Sequence, residues 1–354
     1  MSSSFSSDSG YAADDLKARD AAIERGLDFV YRFSKKRECF ANYGSFLICC
    51  FALVAATSRN PRLRRLGRDR ARQLLRRWSR LHRLLPADAS SDLLFDFILV
   101  HYAQSRLGFH DPAGVSAIRL AAHKFSATDL LGFDPGKEPP PEDLPYLCDC
   151  SFQNPRGRKA CKQCKRRLRM RSRYRVWMEA LANTYVAEKS GVLFGSRYAD
   201  VLKWAPFMRP YPTAAEEDEE VVRDAIYAVT HIVYTLNNYG TYKLSPRWLP
   251  HEFAYLKANV ESACTQRDPE LLGELLDSLK ALGLTARHPL IQRGTRYLLD
   301  EQNGDGSWGD IEEENLRTRC HTTWTAIDGL RTCAWRGQRL SFADLKSSWK
   351  KWAR

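Results

Sequence analysis

The chain has 354 residues, 44% of them hydrophobic and 27% charged, with a formal net charge of +13 and ten cysteines. That balance is ordinary for a globular protein with ample core, and it excludes collagen-like and low-complexity classes. The longest apolar run, residues 46–56, is far shorter than the ~20 residues of a membrane span, so no transmembrane segment is expected.

Residues 1–19 read as a polar, Ser-rich tail with neither the basic region nor the apolar region of a secretory signal. Cysteines in such a chain point to free thiols or metal ligands in a reducing, cytoplasmic compartment rather than to a disulfide scaffold. N-terminal helical hairpins are expected over 20–134. They comprise a helix at 20–33, an apolar segment at 43–57, a break at Asn60-Pro61, and a helix with Leu63, Leu66, Leu74, Trp78, Leu81 and Leu85 on one stripe. Ser91 reads as the N-cap of a helix over 92–107 that Gly108 ends, and a shorter helix follows at 115–123. Two basic blocks, 59–83 and 156–175, suit an anionic partner such as nucleic acid. They equally suit the solvated face of helices, and the apolar residues interleaved at helical spacing favour that reading.

A Pro-rich stretch opens the segment 135–168, in which Cys148-Asp-Cys150 is followed ten residues later by Cys161-Lys-Gln-Cys164. Two close cysteine pairs on turns can place four thiolates around one ion, and the flanking Lys and Arg give the segment little apolar content in which to bury thiols. The spacing predicts a closed, structural zinc site that staples the inserted loop. Helical patterning resumes from about 169, an aromatic and Pro-rich loop is expected at 194–212, and helices are expected at 216–240, 246–263, 269–283, 289–302, 320–335 and 342–352. Similar helical segments recur roughly every 45–50 residues, the period of stacked helix pairs. No strand-like alternation is present, so the fold class is all-α, with the C-terminal hairpins occupying 169–354.

Gln302-Asn-Gly-Asp305-Gly306-Ser307-Trp308 resembles the QW repeat of the terpenoid cyclases and protein prenyltransferases. Cys320-His321-Thr322-Thr323-Trp324 resembles the run that carries the zinc-binding histidine in prenyltransferase β subunits. The resemblance spans roughly residues 215–352 and implies an α/α toroid of helical hairpins around an apolar cavity. It makes the helices running towards Gly240, Gly283 and Gly329 the inner ones. Counted back from those glycines, His231, Glu274 and His321 stand nine, nine and eight residues away, and His101 stands seven before Gly108. At ~1.5 Å per residue these groups share one depth, and two histidines with a carboxylate can hold a second ion, Zn, Fe or Cu, with open positions. Tyr234 and Trp324 follow their histidines by one helical turn and would flank the substrate, whereas Trp308 in the turn is structural. Asp277, one turn after Glu274, would move a proton. The Asp-rich acid and diphosphate-binding motifs of the resembled enzymes are absent, as is their zinc-binding cysteine.

The expected function is a metal-dependent enzyme acting on a hydrophobic small molecule in a central cavity, with lyase, cyclase or oxygenase-type chemistry. Alternatives are an atypical terpene cyclase or prenyl-transfer enzyme, and a non-enzymatic basic scaffold that binds nucleic acid or an acidic partner.

Overall fold

A computed structural model describes residues 13–150, 152–345 and 348–349. Among them are α1 (Ala13–Lys35), α2 (Arg37–Thr57), α3 (Pro61–Leu81), α4 (Ser91–Arg106), α5 (Pro112–Ala122), α6 (Ala127–Leu131) and α7 (Arg173–Lys189). These are followed by α8 (Tyr198–Leu202), α9 (Glu219–Leu236), α10 (Pro250–Thr265), α11 (Pro269–Ala281), α12 (Pro289–Asp300) and α13 (Leu316–Leu330). Extended structure among the described residues is confined to isolated bridges. The all-helical class is therefore observed.

Several boundaries differ from expectation. Residues 13–19, assigned above to the tail, are the first turns of α1; most are good helix formers, and Arg19 is buried with a hydrogen bond to Thr332 Oγ1 at 2.9 Å. The aromatic stretch 194–212 contains α8 and a short 3₁₀ turn rather than loop alone, because Trp177 Nε1 reaches the Val201 carbonyl at 2.8 Å and fixes that segment. Part of the expected 342–352 helix, and residues 1–12 of the tail, lie outside the described residues.

The chain divides into two compact units, one of Met1–Trp78 with Leu236–Ser341 and one of Ser79–Thr235 with Phe342–Arg354. These divisions do not coincide with the segmentation at 134/135 and 168/169. In the first unit, α1 packs against α2 and α13, and α11 packs against α10, α12 and α13. Helix α2 is long and apolar enough to cross a membrane, yet 72% of its most apolar stretch is buried in the fold; a helix hydrophobic all round suits a core position. Helix α11 is buried at every position from Leu271 to Leu279. It can lie so deep because it crosses α13 backbone to backbone: a Cβ on Gly273 would stand 2.3 Å from the Thr325 carbonyl oxygen, and one on Gly329 would stand 2.8 Å from the Gly273 Cα.

The QW-type turn belongs to this unit. Gln302 Nε2 donates to the carbonyls of Ala22 at 2.9 Å and Gly306 at 3.0 Å, and Arg25 donates to its Oε1. Trp308 is wholly buried, and its Nε1 donates to the Leu298 carbonyl at 2.6 Å in the last turn of α12. The turn thus supplies a donor to a helix end that lacks an intrahelical one.

In the second unit, α7 packs against α4, α6 and α8. Ser172 caps α7 and also donates to Asp224 of α9 at 2.8 Å, while Arg175 binds the same buried carboxylate.

Candidate metal centre and acid–base site

The inserted loop leaves the second unit at Pro145 and returns at Met170, which face each other in an antiparallel bridge. Its neck is held by Tyr146 N–H to the Arg169 carbonyl and Arg171 N–H to the Leu144 carbonyl, both at 2.9 Å. Further in, Ala160 pairs with Arg167, flanked by Leu168 N–H to Lys159 O at 3.0 Å and Cys161 N–H to Arg166 O at 2.8 Å. Lys165 turns the chain with a left-handed φ of 64°, and its N–H reaches back to the Cys161 carbonyl at 3.1 Å.

This ribbon brings Cys148, Cys150, Cys161 and Cys164 together, with all four sulfurs within 4.8 Å of one another. Cys148 and Cys164 Sγ are 3.4 Å apart, and Cys150 and Cys161 Sγ are 3.6 Å apart. A tetrahedron with ~2.3 Å metal–sulfur bonds has edges of ~3.8 Å, so shifts of about an ångström or less, opening the two close pairs and drawing in the wider ones, fit the sulfurs to an ion. Burial raises the Cys161 thiol, but hydrogen bonding from the Cys164 backbone and from Asn154 outweighs it and brings the pKa down to about 6. The surrounding Leu168 and Phe152 give the sulfurs a small apolar cover. The four predicted ligands therefore form a candidate metal site, and among the described residues it is the group of three or more His, Cys, Asp or Glu side chains whose donor atoms lie within reach of a common ion. None of the ten cysteines forms a disulfide.

The remaining predicted residues divide between the units. His231, Tyr234 and His101 belong to the second unit; Glu274, Asp277, His321 and Trp324 belong to the first. The shared-depth count does not survive the observed helix ends. Gly329 does not terminate α13 but lies within it as a packing glycine, and α9 stops at Leu236, four residues short of Gly240. Measured to their own helix ends, His231, Glu274 and His321 stand five, seven and nine residues back, a spread of ~6 Å in rise.

In the second unit, His231 Nδ1 lies 2.8 Å from the Tyr227 carbonyl, which makes Nδ1 the protonated nitrogen and Nε2 the acceptor; the Tyr234 ring sits 5.5 Å away. His101 is buried on α4, and desolvation lowers its pKa while Asp111 opposes the shift.

In the first unit, His321 has a partner that sequence reasoning passed over. Its Nδ1 lies 2.8 Å from Glu270 Oε1, and the other carboxylate oxygen accepts from Thr322 Oγ1 at 3.0 Å. Glu270 opens α11 and reads as an ordinary first-turn acid, but it stands four residues before Glu274 and so on the same face. A third of the His321 side chain stays exposed. Phe46 of α2 packs on its ring at 5.8 Å and on Trp324 at 4.5 Å, and the buried Trp324 Nε1 has no acceptor among the described residues. Desolvation lowers the His321 pKa, but Glu270 chiefly, with Glu274 adding, raises it above the ordinary imidazole value.

Asp277 has different neighbours. It is buried 4.0 Å from Lys280 Nζ, and that ammonium donates to the carbonyls of Asp328, Gly329 and Arg331 at 3.0, 2.7 and 2.7 Å. Burial pushes Asp277 up to about 6 against the pull of Lys280, and burial brings Lys280 down to about 8 against the pull of Asp277. Lys280 therefore closes the C-terminal end of α13, where a cation is favoured, and Asp277 balances its charge.

Glu270→Gln is expected to return the His321 pKa towards or below the ordinary imidazole value, followed by its ring resonances in an NMR titration. Because the folded value is raised, the pair's stabilisation is complete below the unfolded imidazole pKa and disappears as pH rises through the folded value. Urea unfolding of the variant should lose that pH dependence; an unchanged titration would show that Glu270 does not set the protonation of His321. No family model, curated protein or solved structure matches this chain.

Proposed function

We propose that the chain is an enzyme in which Glu270 and His321 carry out proton transfer on a hydrophobic small molecule, and that the cysteine centre is a structural zinc site. The observation that supports the catalytic reading most is the pairing of His321 with a carboxylate that accepts a hydrogen bond from its Nδ1–H. That leaves Nε2 as the reactive nitrogen, the orienting arrangement of general acid–base sites. Phe46 supplies an apolar wall, and the Trp324 indole N–H is a donor for a substrate oxygen. The α/α toroid belongs to the same proposal. It is supported by the QW-type turn, whose Gln and Trp side chains lock a helix end.

For the cysteine centre, zinc fits a closed all-sulfur set of this size, which leaves no position for substrate.

Purified protein incubated with polyprenyl diphosphates, squalene or its epoxide should convert at least one of them, as read by mass spectrometry, with His321→Ala losing at least ~100-fold in rate. Turnover in that variant equal to the parent would defeat the assignment. Elemental analysis tests the cysteine centre: one zinc per chain is expected, and metal-free purified protein would remove that assignment.

A further inference from the structure

The inserted ribbon carries a second feature that proton transfer does not use. Between residues 156 and 169 it presents Arg156, Arg158, Lys159, Lys162, Lys165, Arg166, Arg167 and Arg169, all exposed, while Asp149 is the one acid between 148 and 170. Arg156, Arg166 and Arg169 are engaged by Glu138 and Asp143, by Asp149 and by Glu220. Arg158, Lys159, Lys162 and Arg167 form no ion pair among the described residues. Lysine and arginine side chains normally lie on solvated helix faces, where their backbone is held by the helix. Here they stand on a loop whose shape depends on four sulfurs and a few ladder hydrogen bonds.

The other basic block is mixed: Arg65, Arg68 and Arg76 are exposed without an ion pair among the described residues, but they stand on a continuous helix, several of whose other arginines bind within the fold. On α3, Arg62 binds Glu24, Arg70 binds Asp28 and the Leu27 carbonyl, Arg64 binds the carbonyls of Ser58 and Arg59, and Arg77 binds that of Ser34. Those guanidiniums hold α3 to its neighbours. Arg158, Lys159, Lys162 and Arg167 of the ribbon form no such ion pair among the described residues and stand on a loop rather than a helix.

From this contrast we infer that the metal-locked ribbon is a docking surface for nucleic acid, contacting the sugar–phosphate backbone without reading base sequence. The ligand must be polyanionic and extended, because the four unpaired cations are distributed along both arms of the ribbon. Gln153 and Gln163, both exposed, add amide groups of the kind that bind phosphate oxygens. A lipid surface is disfavoured because Leu147 is the one large apolar side chain strongly exposed on the loop between Pro145 and Met170. With a single leucine as anchor, attraction to a bilayer would be almost wholly electrostatic. The proposal is independent of the acid–base reading and survives its failure.

The test is fluorescence anisotropy of the full, metal-loaded chain with a labelled mixed-sequence oligonucleotide of about 20 nucleotides, longer than one binding site. Four phosphate contacts give a log–log salt slope of about −3, a loss of roughly 60-fold between about 50 and 200 mM salt. Neutralising Arg158, Lys159 and Arg167 together to Gln should weaken binding at least about tenfold, with unchanged zinc content and circular dichroism. The matched control, Arg65→Gln with Arg68→Gln and Arg76→Gln on α3, should change it less than about twofold. Chelation should abolish binding while helical content persists. Equal losses in both triple variants would overturn the proposal in favour of diffuse net-charge attraction. Phosphatidylserine vesicles binding as tightly at the same salt, through the same residues, would overturn it in favour of a membrane.

Discussion

Replacing Gly273 with valine is expected to cost more than about 3 kcal/mol, the upper range for overpacking a rigid site, and to remove His321 from Glu270. A Cβ at Gly273 would meet Thr325 O at 2.3 Å, Thr325 C at 2.4 Å and Ala326 N at 2.8 Å. All three are backbone atoms, so no side-chain rotation relieves the clash and the helices must separate. Since Glu270 stands on α11 and His321 on α13, separation stretches a 2.8 Å contact that weakens steeply with distance. Urea unfolding measures the first effect and the His321 titration the second. Gly283 supplies the contrast: it has a φ of +100° with nothing within 4 Å of its missing Cβ. Gly283→Ala should therefore cost only about 1–2 kcal/mol of backbone strain and leave His321 untouched. Comparable losses at both positions would refute the close-crossing account.

Trp308→Ala should destabilise the first unit by about 3–5 kcal/mol, the usual range for emptying a large aromatic site. The indole is completely buried and lies against Gly26, where a Cβ would approach its ring to 2.7 Å. Its N–H also serves the Leu298 carbonyl. Trp308→Phe keeps part of the volume but leaves that carbonyl without its donor, so a loss nearer 1–3 kcal/mol is expected. The order Ala worse than Phe worse than wild type, read from denaturant midpoints, tests whether the turn acts through packing as well as through its hydrogen bond. A Phe variant as unstable as Ala would place the whole effect in the hydrogen bond.

The helical class and the four-cysteine cluster were legible because each depends on local information. Apolar spacing of 3.6 residues, capping residues and proline starts are visible within a dozen positions, and the cysteine pairs sit on turns of their own making. The His321 site was legible only in half. The histidine stands out in its motif, but Glu270 lies some fifty positions earlier in sequence and looks like a helix-start carboxylate; only the α11–α13 crossing joins them. Gly329 was misread for a related reason. Glycine after a periodic run signals a helix end, yet here it is a contact surface for Gly273, and that role is invisible until both helices are in place. Asp277 was likewise placed beside Glu274 by spacing, while its chemistry is set by Lys280 from its own helix, by Asp328 of α13 and by Arg331 just after it. The unit boundaries were hidden for the same cause, since the first unit joins segments from both ends of the chain.

That discontinuity has a consequence for biosynthesis. Helix α1 is tied to Thr332 across 313 positions and to the Gln302 side chain across 280, and the apolar α2 shares a unit with α11 and α13. More than two hundred residues separate Thr57 from Pro269. At ~5–20 residues per second the ribosome needs roughly 10–40 s to supply them. During that interval the greasy second helix is translated but unsheltered, whereas most of the other unit emerges in one piece, metal loop included. For that interval the apolar face of the helix is open to misassociation, the characteristic hazard of a unit assembled from distant segments.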